Sequence, residues 1–166
     1  MILPPPADPL PSTLVLARTA LYAGLLAGAL DISAAILTNL EVPARAVLQA
    51  VASGLLGPEA WRGGWPTAWL GLGAHFAIML VVAVIFVAAA AVAPSLRRSW
   101  LPVGAVFGVA VWLVMAFVVV PLSASPVSGP VDLMSALEPI VVHIVAVGLP
   151  IAWITRRMLG SGDRAA

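Results

Sequence analysis

Four runs of the chain, near residues 16–40, 66–93, 101–121 and 135–158, are long, apolar and almost free of charge. About 20 such residues, at the 1.5 Å rise of a helix, cross the roughly 30 Å hydrocarbon layer of a bilayer. Within hydrocarbon each backbone amide must find its partner in its own segment, so single runs of this length are helices and not strands. The expected fold is therefore all-α, an integral membrane four-helix bundle occupying residues 14–158 as a single domain. Residues 1–13, rich in proline, read as a disordered lead, and residues 159–166 as a short tail.

Composition agrees with this reading. Of 166 residues, 62% are hydrophobic and 9% charged, against about 45–50% and about 25% in ordinary soluble domains. A soluble core of this size has no room for so many aliphatic side chains. The formal net charge of +1 gives no electrostatic footprint for nucleic acid. With no cysteine in the chain there is no disulfide, no thiolate metal site and no cysteine nucleophile. The lipid bilayer is the one partner the composition itself requires, and a homo-oligomer follows if the glycine faces described below pair between copies.

Arginine placement orients the bundle. Arg18, Arg97, Arg98, Arg156, Arg157 and Arg164 gather on the side of both termini, leaving Arg45 and Arg62 on the other. By the positive-inside rule both termini are cytoplasmic. Trp61, Trp65 and Trp69 then fall at the outer interface and Trp100 and Trp153 near the inner one, where indole rings prefer to lie.

Turn chemistry punctuates the runs. Pro66 suits the first turn of the second span, Pro94 closes it, and Pro102 and Pro121 open and close the third. Ser135-Ala-Leu-Glu138 has the form of a capping box for the fourth. Between the first two spans, "EVPARAVLQAVASGLLGPEAWRGG" carries Arg45, Gln49 and Ser53 at four-residue spacing. This predicts an extra amphipathic helix over about 43–56 in the membrane interface, serving as a cover or as a gate over the bundle mouth. The loop "SASPVSGPVD" reads as plain connecting chain.

Ionisable groups inside the runs are the expensive ones. Asp31, His75 and His143 lie on three different spans at a similar depth, roughly 12–14 Å below the outer surface at helical rise. An intramembrane carboxylate costs at least about 2.5 kcal/mol, so Asp31 should turn inward and be paired or protonated. Two imidazoles and a carboxylate also make a donor set for a divalent metal such as zinc, iron or nickel. Two opposed histidines beside Gly71, Gly73 and Ala74 would admit a haem instead. Glu138 lies about 140° around the helix from His143, which suits a cap better than a shared site; with Arg45 and Gln49 it forms a second tier. Gly24 and Gly28, and Gly104 and Gly108, are small-xxx-small pairs that predict close helix packing. A weak repeat, each half an outgoing glycine-paired helix and a returning helix with one histidine, would place His75 opposite His143.

The order "GLLAG", "EVPAR", "AHFAIM", "GAVFGVAV", "PLSA", then Glu138, His143 and Arg156-Arg157, resembles the YagU-like family of small bacterial inner-membrane proteins, over residues 20–157. The resemblance implies an inner-membrane location and a loose association with acid tolerance, with no reaction attached.

Three functions remain open. One is the handling of a proton, metal ion or small solute through Asp31, His75 and His143; another is haem binding by the two histidines. The third is a structural or assembly role in which polar groups only lock the packing. Catalysis has the least support, since no nucleophile elbow, zinc-protease helix or phosphate loop occurs.

Overall fold

The computed structural model describes residues 11–127 and 132–160, and among these there is helix and no strand. Most of the expected lead and tail, together with Arg164, lies outside the described residues. Four helices are long and apolar enough to cross a membrane: α1 (Thr13–Leu37), α3 (Gly64–Val92), α5 (Trp100–Leu122) and α6 (Leu133–Leu159). Two shorter helices complete the set, α2 (Ala44–Leu56) between α1 and α3 and α4 (Pro94–Arg98) between α3 and α5.

Local chemistry sets the ends. Ser12 caps α1, its hydroxyl accepting from the Val15 amide at 3.4 Å. At the other end Asn39 folds its side-chain amide back onto the Ala35 carbonyl at 2.9 Å, so α1 stops at Leu37 and not at residue 40. Gly57 and Gly64, with φ of 61° and 63°, bracket a 3-10 turn over Gly57–Arg62; this left-handed backbone favours glycine. The fourth span begins at Leu133, and its capping box is Asp132 with Ser135. The Asp132 carboxylate accepts from the Ser135 amide at 2.8 Å. The expected Ser135–Glu138 box is thus displaced by three residues, because Asp132 is the first side chain able to reach the free amides. Glu138 stands within the helix, exposed, with no capping role.

Prolines shift the ladder inside two helices. A π-helical segment, Met115–Val119, interrupts α5, and another, His143–Gly148, interrupts α6. Pro121 and Pro150 follow them. Each proline lacks the amide that would bond the carbonyl four residues back, and just ahead of it an amide reaches five residues back instead, Val120 to Met115 and Leu149 to Ile144. Helix α5 continues through Pro121 to Leu122.

Glycine decides which helices touch. A Cβ on Gly24 would meet the Leu80 backbone at 3.1 Å, and one on Gly28 would meet the Phe76 ring at 2.8 Å, so α1 lies directly against α3. Likewise a Cβ on Gly108 would run into the His143 carbonyl and one on Gly148 into the Gly104 carbonyl, so α5 lies directly against α6. The main core fills the half of the bundle near the arginines, with Ala23 and Ala27, Phe86 and Ala90, Val147 and Ile151. There the Arg97 side chain is buried and donates through Nη1 to the Leu159 carbonyl at 2.5 Å. It thereby satisfies a free carbonyl at the end of α6, where a cation also suits the helix dipole.

The opposite half is looser. The first turns of α6, Leu133–Val142, pack on its own continuation and lightly on α5, and not closely on α1 or α3. Helices α3 and α5 also part, leaving a wholly apolar lateral groove of about 510 Å³ lined by residues such as Ala77, Val81, Ile85, Phe107, Val111 and Met115.

Gly148→Ala should lower the thermal midpoint in detergent, with a loss of about 1–3 kcal/mol from overpacking. Gly73→Ala, whose Cβ meets nothing within 4 Å, should leave it unchanged or raise it. The Ser135 amide, held by the Asp132 carboxylate, keeps that acid below its ordinary value. The cap is therefore intact above the usual aspartate range and is lost as pH falls through the lowered value. Protection of the Ser135 amide, taken relative to its intrinsic exchange rate at each pH, should fall on acidification in the native chain and show no such step in Asp132→Asn.

Candidate functional site

The polar groups inside the apolar helices divide into those that finish the fold and those it leaves free. Helix α2 supplies the first kind. Its residues Gln49 and Ser53 are buried, whereas Arg45 is exposed and Leu55 is 63% exposed. The polar stripe thus faces the protein, and part of the apolar surface faces out. Gln49 explains the inversion: its side-chain amide donates to the Ala60 carbonyl at 3.0 Å, the Gly64 carbonyl at 2.9 Å and the Thr67 hydroxyl at 3.0 Å. These are the acceptors exposed where the 3-10 turn meets α3, and buried carbonyls need donors. Gln49 is therefore a positioning residue of the fold.

With α2 held at that turn, it lies against α3 at Gly71, where a Cβ would fall 1.9 Å from the Leu48 carbonyl oxygen. Below it, Ile32 of α1, Leu48 of α2 and Ala68 of α3 form a second small core. At its far end the Ser53 hydroxyl lies 2.9 Å from that of Ser125, and the Ala124 amide donates to the Gly54 carbonyl at 3.0 Å. Sequence reasoning counted Ser53 in the stripe but passed over Ser125, in a loop that read as plain connection. Its signal was the Ser123-Ala-Ser125 pair, short hydroxyls able to satisfy a helix end.

His75 and Asp31 lie just beneath this cover. The His75 ring is buried, and its Nε2 is 2.9 Å from the Gly28 carbonyl of α1. A carbonyl only accepts, so Nε2 carries the proton and Nδ1 keeps the lone pair. The close approach at Gly28 is what brings that carbonyl within reach. Three residues on, Asp31 is 9% exposed. It falls between the Gly24 and Gly28 edge that meets α3 and the Ala23 and Ala27 edge that packs with Val147 and Ile151 of α6. The residue thus lies on the inward arc of α1, about one turn from the level of His75, though its oxygens are not among the fully buried unpartnered atoms. Among the described residues no donor hydrogen-bonds it.

His143 differs. Its Nδ1 is 2.8 Å from the Pro139 carbonyl of its own helix, so here Nδ1 carries the proton and Nε2 the lone pair. The π turn that bears it packs on α1 and α5, and not closely on α3. The expected facing pair is replaced by two rings tied to different carbonyls. Among the described residues, no three of the histidine, aspartate and glutamate side chains gather into a set that could hold a metal ion. The proposed Asp31, His75 and His143 ligand set therefore does not fit. Matching depth along three helices did not ensure a matching direction around them.

Other buried hydroxyls return to their own helices: Thr19 bonds the Val15 carbonyl and Thr155 the Ile151 carbonyl, each at 2.7 Å. Glu59 and Arg62 form an exposed ion pair at 3.1 Å. Among the described residues Asp31 thus differs from these groups in having no hydrogen-bond partner, while the fully buried unpartnered atom is Arg97 Nε. No family model, curated protein or solved structure matches the chain.

Gln49→Leu should leave the Ala60 and Gly64 carbonyls to share the Thr67 hydroxyl, 2.6 and 3.1 Å away, at a cost of about 1 kcal/mol. Proteolysis or amide exchange across Gly57–Arg62 should accelerate while the core around Val147 stays protected.

Proposed function

We propose that this chain is a multi-pass inner-membrane protein that carries a proton, or a small solute coupled to one, with Asp31 as the proton-bearing group. The reading rests on one observation, an Asp31 that is only 9% exposed and that, among the described residues, accepts no hydrogen bond. A carboxylate held this way in hydrocarbon is costly, and intramembrane acids that persist mark ion or substrate pathways. As the neutral acid Asp31 suits its surroundings; on losing the proton it needs a nearby base or water to take it. The lone pair on His75 Nδ1, about one helical turn away, is a base of the right kind.

Placement follows from charge and aromatic position. Arg18, Arg97, Arg98, Arg156 and Arg157 lie at the cytoplasmic end in this reading, and Trp65 and Trp69, with centroids 6.1 Å apart, at the outer interface. Asp31 and His75 then sit in the outer half, under α2. The resemblance to the YagU-like family supports the same membrane.

A second reading, a structural or assembly protein, draws on the His75 bond to Gly28, which ties α1 to α3 whether or not a proton moves. Proteoliposomes loaded with a pH-sensitive dye separate the two. With an imposed pH gradient and a potassium-valinomycin potential, native protein should acidify the lumen, and Asp31→Asn should fall to the rate of empty liposomes. His75→Gln, which keeps a donor for Gly28, should slow the flux without lowering the thermal midpoint as much as His75→Ala. Equal flux from native protein and Asp31→Asn would remove the proton reading and leave the structural one.

A further inference from the structure

We infer that the α2 end of the bundle opens about the two π-helical segments, with the contact between α2 and the chain following α5 as its latch, and so controls access to Asp31 and His75. This rests on the proton reading for its purpose, though not for its geometry. One side of the device is a rigid unit. Helices α1, α2 and α3 are joined by the Gln49 bonds, by the Gly71 approach and by the Ile32, Leu48 and Ala68 core. They also share the His75 bond to Gly28.

The other side is jointed. Helices α5 and α6 are fastened to each other at Gly104, Gly108 and Gly148, but beyond those glycines their packing thins. The π segments Met115–Val119 and His143–Gly148 begin near that point. Such segments mark places where a helix changes its register or direction. Pro139 adds a second break in α6, since it withholds an amide from the Ser135 carbonyl. The lateral groove of about 510 Å³ between α3 and α5 is space into which the end of α5 can swing. No side chain in its lining is polar, so the motion breaks no hydrogen bond there.

Across the mouth, the described hydrogen bonds between the two sides are few. They are the Ser53 and Ser125 hydroxyl pair at 2.9 Å and the Ala124 amide to the Gly54 carbonyl at 3.0 Å. Gly57, at the end of α2, lies against the Ala124 carbonyl, 3.5 Å from a Cβ built there. Contacts of this size hold a closed state yet release it on thermal timescales, leaving a minor open population.

The chain has no cysteine, so introduced thiols report cleanly. In the full chain in proteoliposomes, Ser53→Cys with Ser125→Cys should oxidise to a crosslink visible as a gel shift. Proton flux should then stop, and a reductant should restore it. Failure to crosslink, or crosslinked protein with undiminished flux, overturns the latch. A second measurement is independent of flux. Asp31→Cys should react with a membrane-impermeant thiosulfonate about tenfold faster when Ser53→Ala and Ser125→Ala are added, the shift expected from losing about one hydrogen bond. Equal rates overturn the inference. If Asp31→Asn carries as much flux as native protein while this labelling difference appears, the gate stands and the proton reading falls.

Discussion

Backbone-to-backbone contact at glycine is the interaction on which this bundle depends. Between helices in lipid, aliphatic burial gains little, because acyl chains are as apolar as leucine; close approach and interhelical hydrogen bonds must supply the attraction. Gly24 and Gly28 bring α1 onto α3, and Gly108 and Gly148 bring α5 onto α6. The same approach has a chemical product. Only where α1 comes this near can the Gly28 carbonyl meet the His75 ring at 2.9 Å, so the packing device also sets the direction of the buried imidazole. Gly71 does the like for α2, seating it over the ends of α1 and α3.

The inward polar stripe of α2 follows from where the acceptors it serves lie. An interfacial helix in water would turn its polar side out. Here carbonyls of the 3-10 turn and of α3 lie on the protein side, where Gln49 serves them, and Ser53 meets the Ser125 hydroxyl. Leu55 and Leu56 are left facing outward. The helix thus satisfies polar demand inside and apolar surroundings outside, the reverse of a soluble amphipathic helix.

Run length and composition made the four long helices and α2 legible, because hydropathy directly reports the solvent a helix must face. Their ends were less so. Helix α1 closes early because Asn39 bonds back to Ala35, and α6 opens early because Asp132 outcompetes the later box; both are local side-chain choices that hydropathy does not register. The π segments were invisible to periodicity, although Pro121 and Pro150 carried the signal. For the site, counting residues inward from the span ends gave depth but not azimuth. That is why Asp31 and His75 fall within a turn of each other, while His143 turns to its own Pro139. Gln49 was singled out, but as a lid residue rather than the knot it is.

The two imidazoles hold their protons on opposite nitrogens, Nε2 in His75 and Nδ1 in His143, each dictated by the carbonyl it meets. Magnetic resonance of the ring nitrogens would therefore show two distinct signatures from a chain with two histidines, assignable without mutation. One reports on the seam between α1 and α3, the other on the bend in α6. The molecule thus carries a built-in pair of spectroscopic reporters, one on its stiff side and one at its joint.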